Sequence, residues 1–217
     1  MSIKVPVNGY RRSNGEFRSF EDEVRAYEAE DNEKGQIVFY GPSNFTRWKK
    51  ETYGNTPLRE ALPGKSGKLC CINRGFGSSC AEHQLYYYDR MVRPLAPSVL
   101  VYAPGLGNSS RYGYTAAETW ELAQRVIHYA KTDFPELKIY ILGLPSRYNS
   151  EAAKEFNNWM RGFCQFFPDC RFIDLAKHKD LADPAIYCED NVHFNNEGYI
   201  RYAEMFKQEL ADELAKF

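Results

Sequence analysis

The chain lacks any long apolar run, and no stretch approaches the ~20 residues a helix needs to span a bilayer. Its start, Met1-Ser2-Ile3-Lys4-Val5-Pro6, lacks the apolar segment of a secretory leader, so a cytoplasmic location is the default expectation. It lacks an excess of either charge: 28 Lys+Arg against 29 Asp+Glu leave a net charge of −1. That removes the electrostatic case for a nucleic-acid or anionic-membrane partner. No Cys-x-x-Cys pair occurs among the six cysteines, Cys70, Cys71, Cys80, Cys164, Cys170 and Cys188, so no structural metal is expected. In a reducing compartment they read as buried free thiols, with a Cys164–Cys170 bridge left open. The glycine runs lack the Lys-Ser/Thr of a phosphate loop, which disfavours a nucleotide site.

What is present is an ordinary globular composition. The 217 residues are 43% hydrophobic, enough for one domain with a substantial core. Residues 1–18 are polar, carry Asn-Gly turn signals and read as an arm lying on a domain of residues 19–217. Ser19-Phe20-Glu21-Asp22 resembles a capping box, and Phe20, Val24 and Tyr27 follow at helical spacing. The pattern predicts a helix over 19–33, ended by Gly35. Apolar runs at 36–40, 69–72, 98–103, 138–142 and 171–174 predict buried strands. Helical patterns fall between them at 81–92, after the Thr115-Ala116-Ala117-Glu118 capping box, and at 149–166; a last amphipathic helix covers about 196–216. Strand alternating with helix predicts an α/β fold, a mostly parallel sheet with helices on both faces. In such folds ligands bind beyond the carboxyl ends of the strands, near the switch in strand order.

Two segments carry reactive chemistry. Asp190-Asn191-Val192-His193 puts a carboxylate three residues before a histidine, in a loop ahead of the last helix. Gly41-Pro42-Ser43-Asn44 directly follows the first buried strand. A serine hydroxyl becomes a nucleophile when a base removes its proton, and a carboxylate can hold an imidazole ready for that task. Ser43 also reads as an N-cap for residues 44–50. His83, His128 and His178 have no comparable carboxylate and read as structural or solvated.

These residues, with two further segments, resemble the SGNH (GDSL-like) hydrolase superfamily from about residue 19 to the C-terminus. Gly41-Pro42-Ser43 resembles the nucleophile block, and Asn73-Arg74-Gly75-Phe76-Gly77-Ser78 the glycine block. Gly105-Leu106-Gly107-Asn108 resembles the asparagine block, and Asp190-x-x-His193 the last block. Pro42 stands where the family often has Asp, and Ser78 where it often has glycine. The third block departs further, because the family usually reads Gly-x-Asn-Asp. An insertion near Pro104-Gly105 puts Asn108 in the asparagine position, whereas an ungapped match puts Gly107 there.

The resemblance implies a three-layer α/β/α sandwich around a five-stranded, parallel, flavodoxin-like sheet. It implies a serine esterase with Ser43, His193 and Asp190 as a triad, working through an acyl-enzyme with no metal or organic cofactor. The oxyanion donors would be the Ser43 N–H, an N–H of the Gly77-Ser78 turn and the Asn108 amide. Tyr112 and Arg147, in loops that would wall the pocket, are candidate substrate contacts. The aromatic and polar residues of those loops fit a small ester partner such as an O-acetyl group on a carbohydrate. Acyl-thioesterase or lysophospholipase activity, and a non-catalytic binding protein on the same scaffold, stay open as alternatives.

Overall fold

A computed structural model of the chain describes residues 4–49, 52, 54–148 and 150–217. Residues 1–3 of the expected arm, Lys50 at the end of the segment expected to be capped by Ser43, and Asn149 at the start of the expected helix 149–166 lie outside the described residues.

The polar N-terminal segment forms a two-stranded antiparallel ribbon, β1 (Gly9–Arg11) with β2 (Phe17–Ser19). The Gly15 N–H donates to the Arg12 carbonyl at 2.9 Å to close its turn. Helix α1 (Glu21–Glu28) follows and is shorter than the pattern predicts. Its N-cap is Phe20; the Ser19 hydroxyl accepts from the Glu21 N–H at 3.1 Å, and no capping box forms. The helix ends at Ala29, where Glu30 turns to pair with the buried Arg74 at 2.6 Å.

Strands β3 (Ile37–Gly41), β4 (Cys71–Gly75), β5 (Val99–Tyr102), β6 (Lys138–Leu142) and β7 (Cys170–Ile173) make one sheet in the order β4-β3-β5-β6-β7, every pair parallel. β4 starts at Cys71, later than the apolar run, because Leu69 is exposed and bridges Pro63 instead. Successive strand residues point to opposite faces. Ile37 and Phe39 therefore enter one core layer, with Val99 and Val101, while Val38 and Tyr40 enter the other, with Leu100 and Tyr102. A slip of one residue would exchange the layers, and each large apolar side chain contributes roughly 1.5–3 kcal/mol on burial, so the register is strongly fixed.

Helices α2 (Ser43–Thr46), α3 (Leu58–Ala61), α4 (Ala81–Met91), α5 (Leu106–Arg111), α6 (Ala116–Asp133), α7 (Glu151–Phe166), α8 (Asn196–Glu209) and α9 (Ala211–Leu214) complete the sandwich. The first core layer takes Phe45 and Trp48 with Tyr202 and Phe206 of α8; the second takes α1, α4, α6 and α7 through residues such as Val24, Tyr87, Ile127 and Phe156. Thr115 caps α6 in the expected box, its hydroxyl accepting from the Glu118 N–H at 3.1 Å while Glu118 accepts the Thr115 N–H at 2.8 Å. The strand order reverses about β3, whose neighbours are β4 and β5. The crossovers that leave β3, toward β4, and β5, toward β6, run in opposite directions and open a crevice at the carboxyl ends of these two strands. Among the described residues no helix is long and apolar enough to cross a membrane.

Candidate active site

Ser43 is the first residue of α2, immediately beyond β3 and at the mouth of that crevice. Gly41 permits the turn: a Cβ there would lie 2.8 Å from the Ala103 Cβ. Pro42 is the N-cap, its carbonyl accepting from the Phe45 and Thr46 N–H groups. The Ser43 hydroxyl makes no capping bond and is left for other partners. Two contacts hold α2 in place. The Asn73 amide donates to the Phe45 carbonyl at 2.7 Å, and the Tyr199 hydroxyl of α8 donates to the Asn44 carbonyl at 3.0 Å.

His193 arrives from the other end of the chain. Its loop is pinned where the Cys188 N–H donates to the His193 carbonyl at 2.8 Å, and the Asn195 side chain caps α8 by accepting from the Gly198 N–H at 3.0 Å. Asp190 Oδ1 accepts the N–H groups of Val192 and His193, both at 2.9 Å, and Oδ2 lies 2.6 Å from His193 Nδ1. His193 Nε2 lies 2.8 Å from Ser43 Oγ. With a carboxylate on Nδ1, that nitrogen carries the proton, and Nε2 accepts from the serine hydroxyl.

The electrostatics agree with that tautomer. Burial pushes His193 below the ordinary imidazole range; the Asp190 bond raises it without cancelling the effect, and Arg47 nearby lowers it again. The ring is therefore neutral near pH 7 and able to accept a proton. Burial alone would raise the Asp190 carboxyl, but the His193 N–H, the His193 ring and the Val192 N–H hold it well below the usual carboxylate range. Arg47 Nη1 stands 3.8 Å from Asp190 Oδ2.

The second expected component is a shelf of donors. A Cβ built on Gly77 would be 4.0 Å from the Ser43 Cβ, so the β4–α4 turn passes beside the hydroxyl. Ser78 occupies the left-handed region at φ 66°. This conformation explains a preference for glycine there, and it is a feature the serine itself conceals from sequence reasoning. The N–H groups of Ser43, Gly77 and Ser78 meet no acceptor among the described residues. Asn108 sits on α5 and lines the same cavity, its amide donating to the Ser79 carbonyl at 2.8 Å. One of its two N–H groups is thereby used and one remains.

The cavity measures about 980 Å³ and includes Ser43, Gly77, Ser78, Asn108, Asp190 and His193 in its lining. Tyr112 and Arg147 do not line it. The Tyr112 hydroxyl donates to the Ser78 carbonyl at 3.1 Å, bracing the strained turn from behind. The Arg147 guanidinium stacks over Tyr187, 3.9 Å from the ring centroid. Sequence reasoning missed Tyr10, Arg12 and Arg18 of the ribbon and Glu23 of α1, which do line the cavity. Only the ribbon's docking brings them there, and no local signal in residues 1–18 announces it.

No family model matches the chain, and no curated protein matches it in sequence. Solved structures match it in shape. A lipase/acylhydrolase from Enterococcus faecalis superposes with a TM-score of 0.66 at 19% identity, over 82% of this chain and 96% of that one. A GDSL-like lipase from Bacteroides thetaiotaomicron gives 0.65 at 17%, over 89% and 96%. A family 3 carbohydrate esterase from Clostridium thermocellum gives 0.59 at 15%, over 83% and 98%. At these identities the likeness is one of architecture, and the chain has the SGNH/GDSL hydrolase fold. The five-stranded flavodoxin-like sheet expected from the motifs is the one found.

Proposed function

We propose that this protein is a serine esterase that hydrolyses carboxylic esters through Ser43, His193 and Asp190. The observation that carries the reading is the hydroxyl of Ser43 lying 2.8 Å from Nε2 of an imidazole contributed 150 positions away, its other nitrogen held by Asp190 at 2.6 Å. Names given to structures of the same fold, an acylhydrolase, a lipase and a carbohydrate esterase, support ester chemistry.

Ser43 Oγ attacks the carbonyl carbon as His193 Nε2 takes its proton, and Asp190 stabilises the imidazolium. The carbonyl oxygen becomes an oxyanion among the N–H of Ser43, an N–H of Gly77 or Ser78, and the remaining N–H of Asn108. Fixed donors of this kind are worth about 10²–10³ each in turnover. Collapse breaks the ester C–O bond, and the alcohol departs with the proton from His193. Water, deprotonated by the same nitrogen, then attacks the acyl-serine; the acid leaves and Ser43 regains its proton.

The cavity is far larger than an acetyl group, and Leu106, Leu142, Leu144 and Phe156 line part of it. That apolar wall keeps a second reading alive, cleavage of longer acyl esters or thioesters. The test is turnover of p-nitrophenyl esters from acetate to octanoate by wild type and Ser43→Ala, with fluorophosphonate labelling and mass spectrometry. Activity lost in Ser43→Ala and label on Ser43 are expected. Equal rates in both proteins would remove the esterase reading, and rates rising with chain length would favour the second one.

A further inference from the structure

The cavity lining is chemically mixed. Leucines and Phe156 from beyond β5 and β6 supply apolar surface; the ribbon and the first turn of α1 supply Arg12, Arg18, Asp22 and Glu23. The polar contribution is held firmly. Phe20 and Val24 are fully buried beneath α1, and the Tyr27 hydroxyl donates to the Gly75 carbonyl at 2.6 Å. The Phe20 N–H donates to the Asn8 carbonyl at 3.0 Å, and the Tyr87 hydroxyl to the same carbonyl at 3.1 Å.

Two neighbouring acids have partners, and Asp22, which has none among the described residues, is exposed to water. Glu21 pairs with Arg90 at 2.8 Å, and Glu16 with Arg18 at 3.1 Å. The half-buried Glu23 differs: its side chain makes no hydrogen bond or ion pair among the described residues. A carboxyl taken from water and left without a partner is costly, and a bound ligand can supply what is missing. We propose that Glu23 binds hydroxyl groups of the ester substrate, making it a specificity residue for a hydroxyl-rich ester; this rests on the esterase reading above.

Three other occupants fit worse. An aliphatic chain would desolvate the carboxyl and offer it nothing. An anion would find the cavity arginines but would gain nothing from Glu23, which repels it whenever the carboxyl is ionised. An ammonium group would share the cavity with Arg12, Arg18 and Arg111. A hydroxyl donates and accepts, so it pairs with the carboxyl in either protonation state. Both states occur near neutrality, because burial pushes Glu23 up to about 7 against the opposing pull of Lys49.

The experiment compares kcat/KM for methyl 6-O-acetyl-glucoside, p-nitrophenyl acetate and acetylcholine in wild type, Glu23→Gln and Glu23→Ala, with Ser43→Ala alongside. The glucoside-to-p-nitrophenyl-acetate ratio of kcat/KM should fall about tenfold in Glu23→Ala, through KM, and less in Glu23→Gln, which keeps a donor and an acceptor. In wild type the glucoside KM should fall as pH rises from 6 to 8, since an ionised acceptor binds hydroxyls more strongly. Glu23→Gln should flatten that trend; Asp22, Tyr27, Lys49, Arg12 and Arg18, the charged and titratable groups around Glu23, stay in place in the variant. An unchanged ratio in Glu23→Ala, or a larger loss on acetylcholine than on the glucoside, overturns the inference. Wild type inactive on every ester, or activity surviving Ser43→Ala, overturns the esterase reading instead. Melting temperatures check folding; removing an unpaired half-buried carboxylate should not lower them at pH 8.

Discussion

His83 and His193 are both pushed below the ordinary imidazole range by burial, yet their surroundings put the rings to different uses. His193 meets a carboxylate with Nδ1 and a serine hydroxyl with Nε2, so a proton has somewhere to come from and a charge has somewhere to rest. Nδ1 of His83 accepts the Cys80 N–H at 3.0 Å, with the Cys80 thiol at 3.3 Å. Its Nε2 donates to the carbonyls of Gly9 at 2.8 Å and Pro6 at 3.0 Å. Burial raises that thiol to about 11, so it gives up no proton near neutrality. His83 is a clamp that fixes the N-terminal ribbon against α4. A displaced histidine is therefore informative only together with the atoms on its two nitrogens.

The sharpest way to separate the two rings is Asp190→Asn. Asparagine keeps an oxygen to accept the Val192 and His193 N–H groups, so the loop should hold. The amide leaves the imidazolium without its counter-charge and favours the wrong tautomer, and kcat should fall about 10⁴-fold. KM and melting temperature should change little, because the ribbon and its clamp are untouched. Steady-state kinetics with thermal melting tests this; a kcat within tenfold of wild type would deny Asp190 its assigned part.

His83→Phe is the complementary change, with a smaller effect. Phenylalanine fills the space but leaves the Cys80 N–H and the Gly9 carbonyl without the imidazole, while the Pro6 carbonyl keeps the Gly9 N–H at 3.3 Å. Stranding buried polar groups costs about 1–3 kcal/mol each, and partial hydration of the loosened ribbon will recover some of it, so a loss of about 2–3 kcal/mol in urea unfolding is expected. The kinetic damage should fall on KM for bulky esters, because the ribbon carries Tyr10, Arg12 and Arg18 into the cavity. Full stability combined with a kcat loss as large as that of Asp190→Asn would erase the distinction between clamp and base.

The same pair of histidines measures what the sequence could disclose. Asp190 and His193 lie three residues apart in one loop, and Ser43 follows directly on an apolar strand, so local spacing announced each half of the site. That the halves meet followed from the parallel α/β pattern, because strand ends in such a sheet share one rim. His83 has no such local signature. Its partners Pro6 and Gly9 lie more than seventy positions away, in an arm whose strands are three residues each and mostly exposed. Ribbons that short carry no usable periodicity, so their docking, and with it the placement of Glu23 in the cavity wall, had to be seen. Tyr112 teaches the same lesson at shorter range: it stood in a loop expected to contact substrate, and its hydroxyl turns instead to the Ser78 carbonyl. The left-handed backbone of Ser78 was also hidden, because serine does not advertise a positive φ as glycine does.

The pH dependence of the two functions is the subtlest discriminator. His193 must be neutral to accept the Ser43 proton, so kcat/KM for p-nitrophenyl acetate, which offers Glu23 no hydroxyl, should be flat from pH 7 to 8 and fall as pH drops through the depressed value of His193, below 6.5. His83 acts on stability with the same sign. Its folded value is lowered, so below 6.5 the unfolded chain binds a proton that the folded chain refuses. The clamp's contribution is whole above 6.5 and is lost as pH falls toward the folded value. Glu23 works against it: its carboxyl is raised from 4.5 to about 7, so its ionisation disfavours the folded state as pH rises across that range. The raw stability curve therefore mixes opposing slopes, and the difference between wild type and His83→Phe is what isolates the clamp. That difference in urea midpoint should shrink from pH 7 to pH 5, while the acid limb of kcat/KM stays at the same pH in both proteins. If the limb moved with His83→Phe, the two rings would be coupled through the Ser78 turn, and a clamp acting on the ribbon alone would be the wrong description.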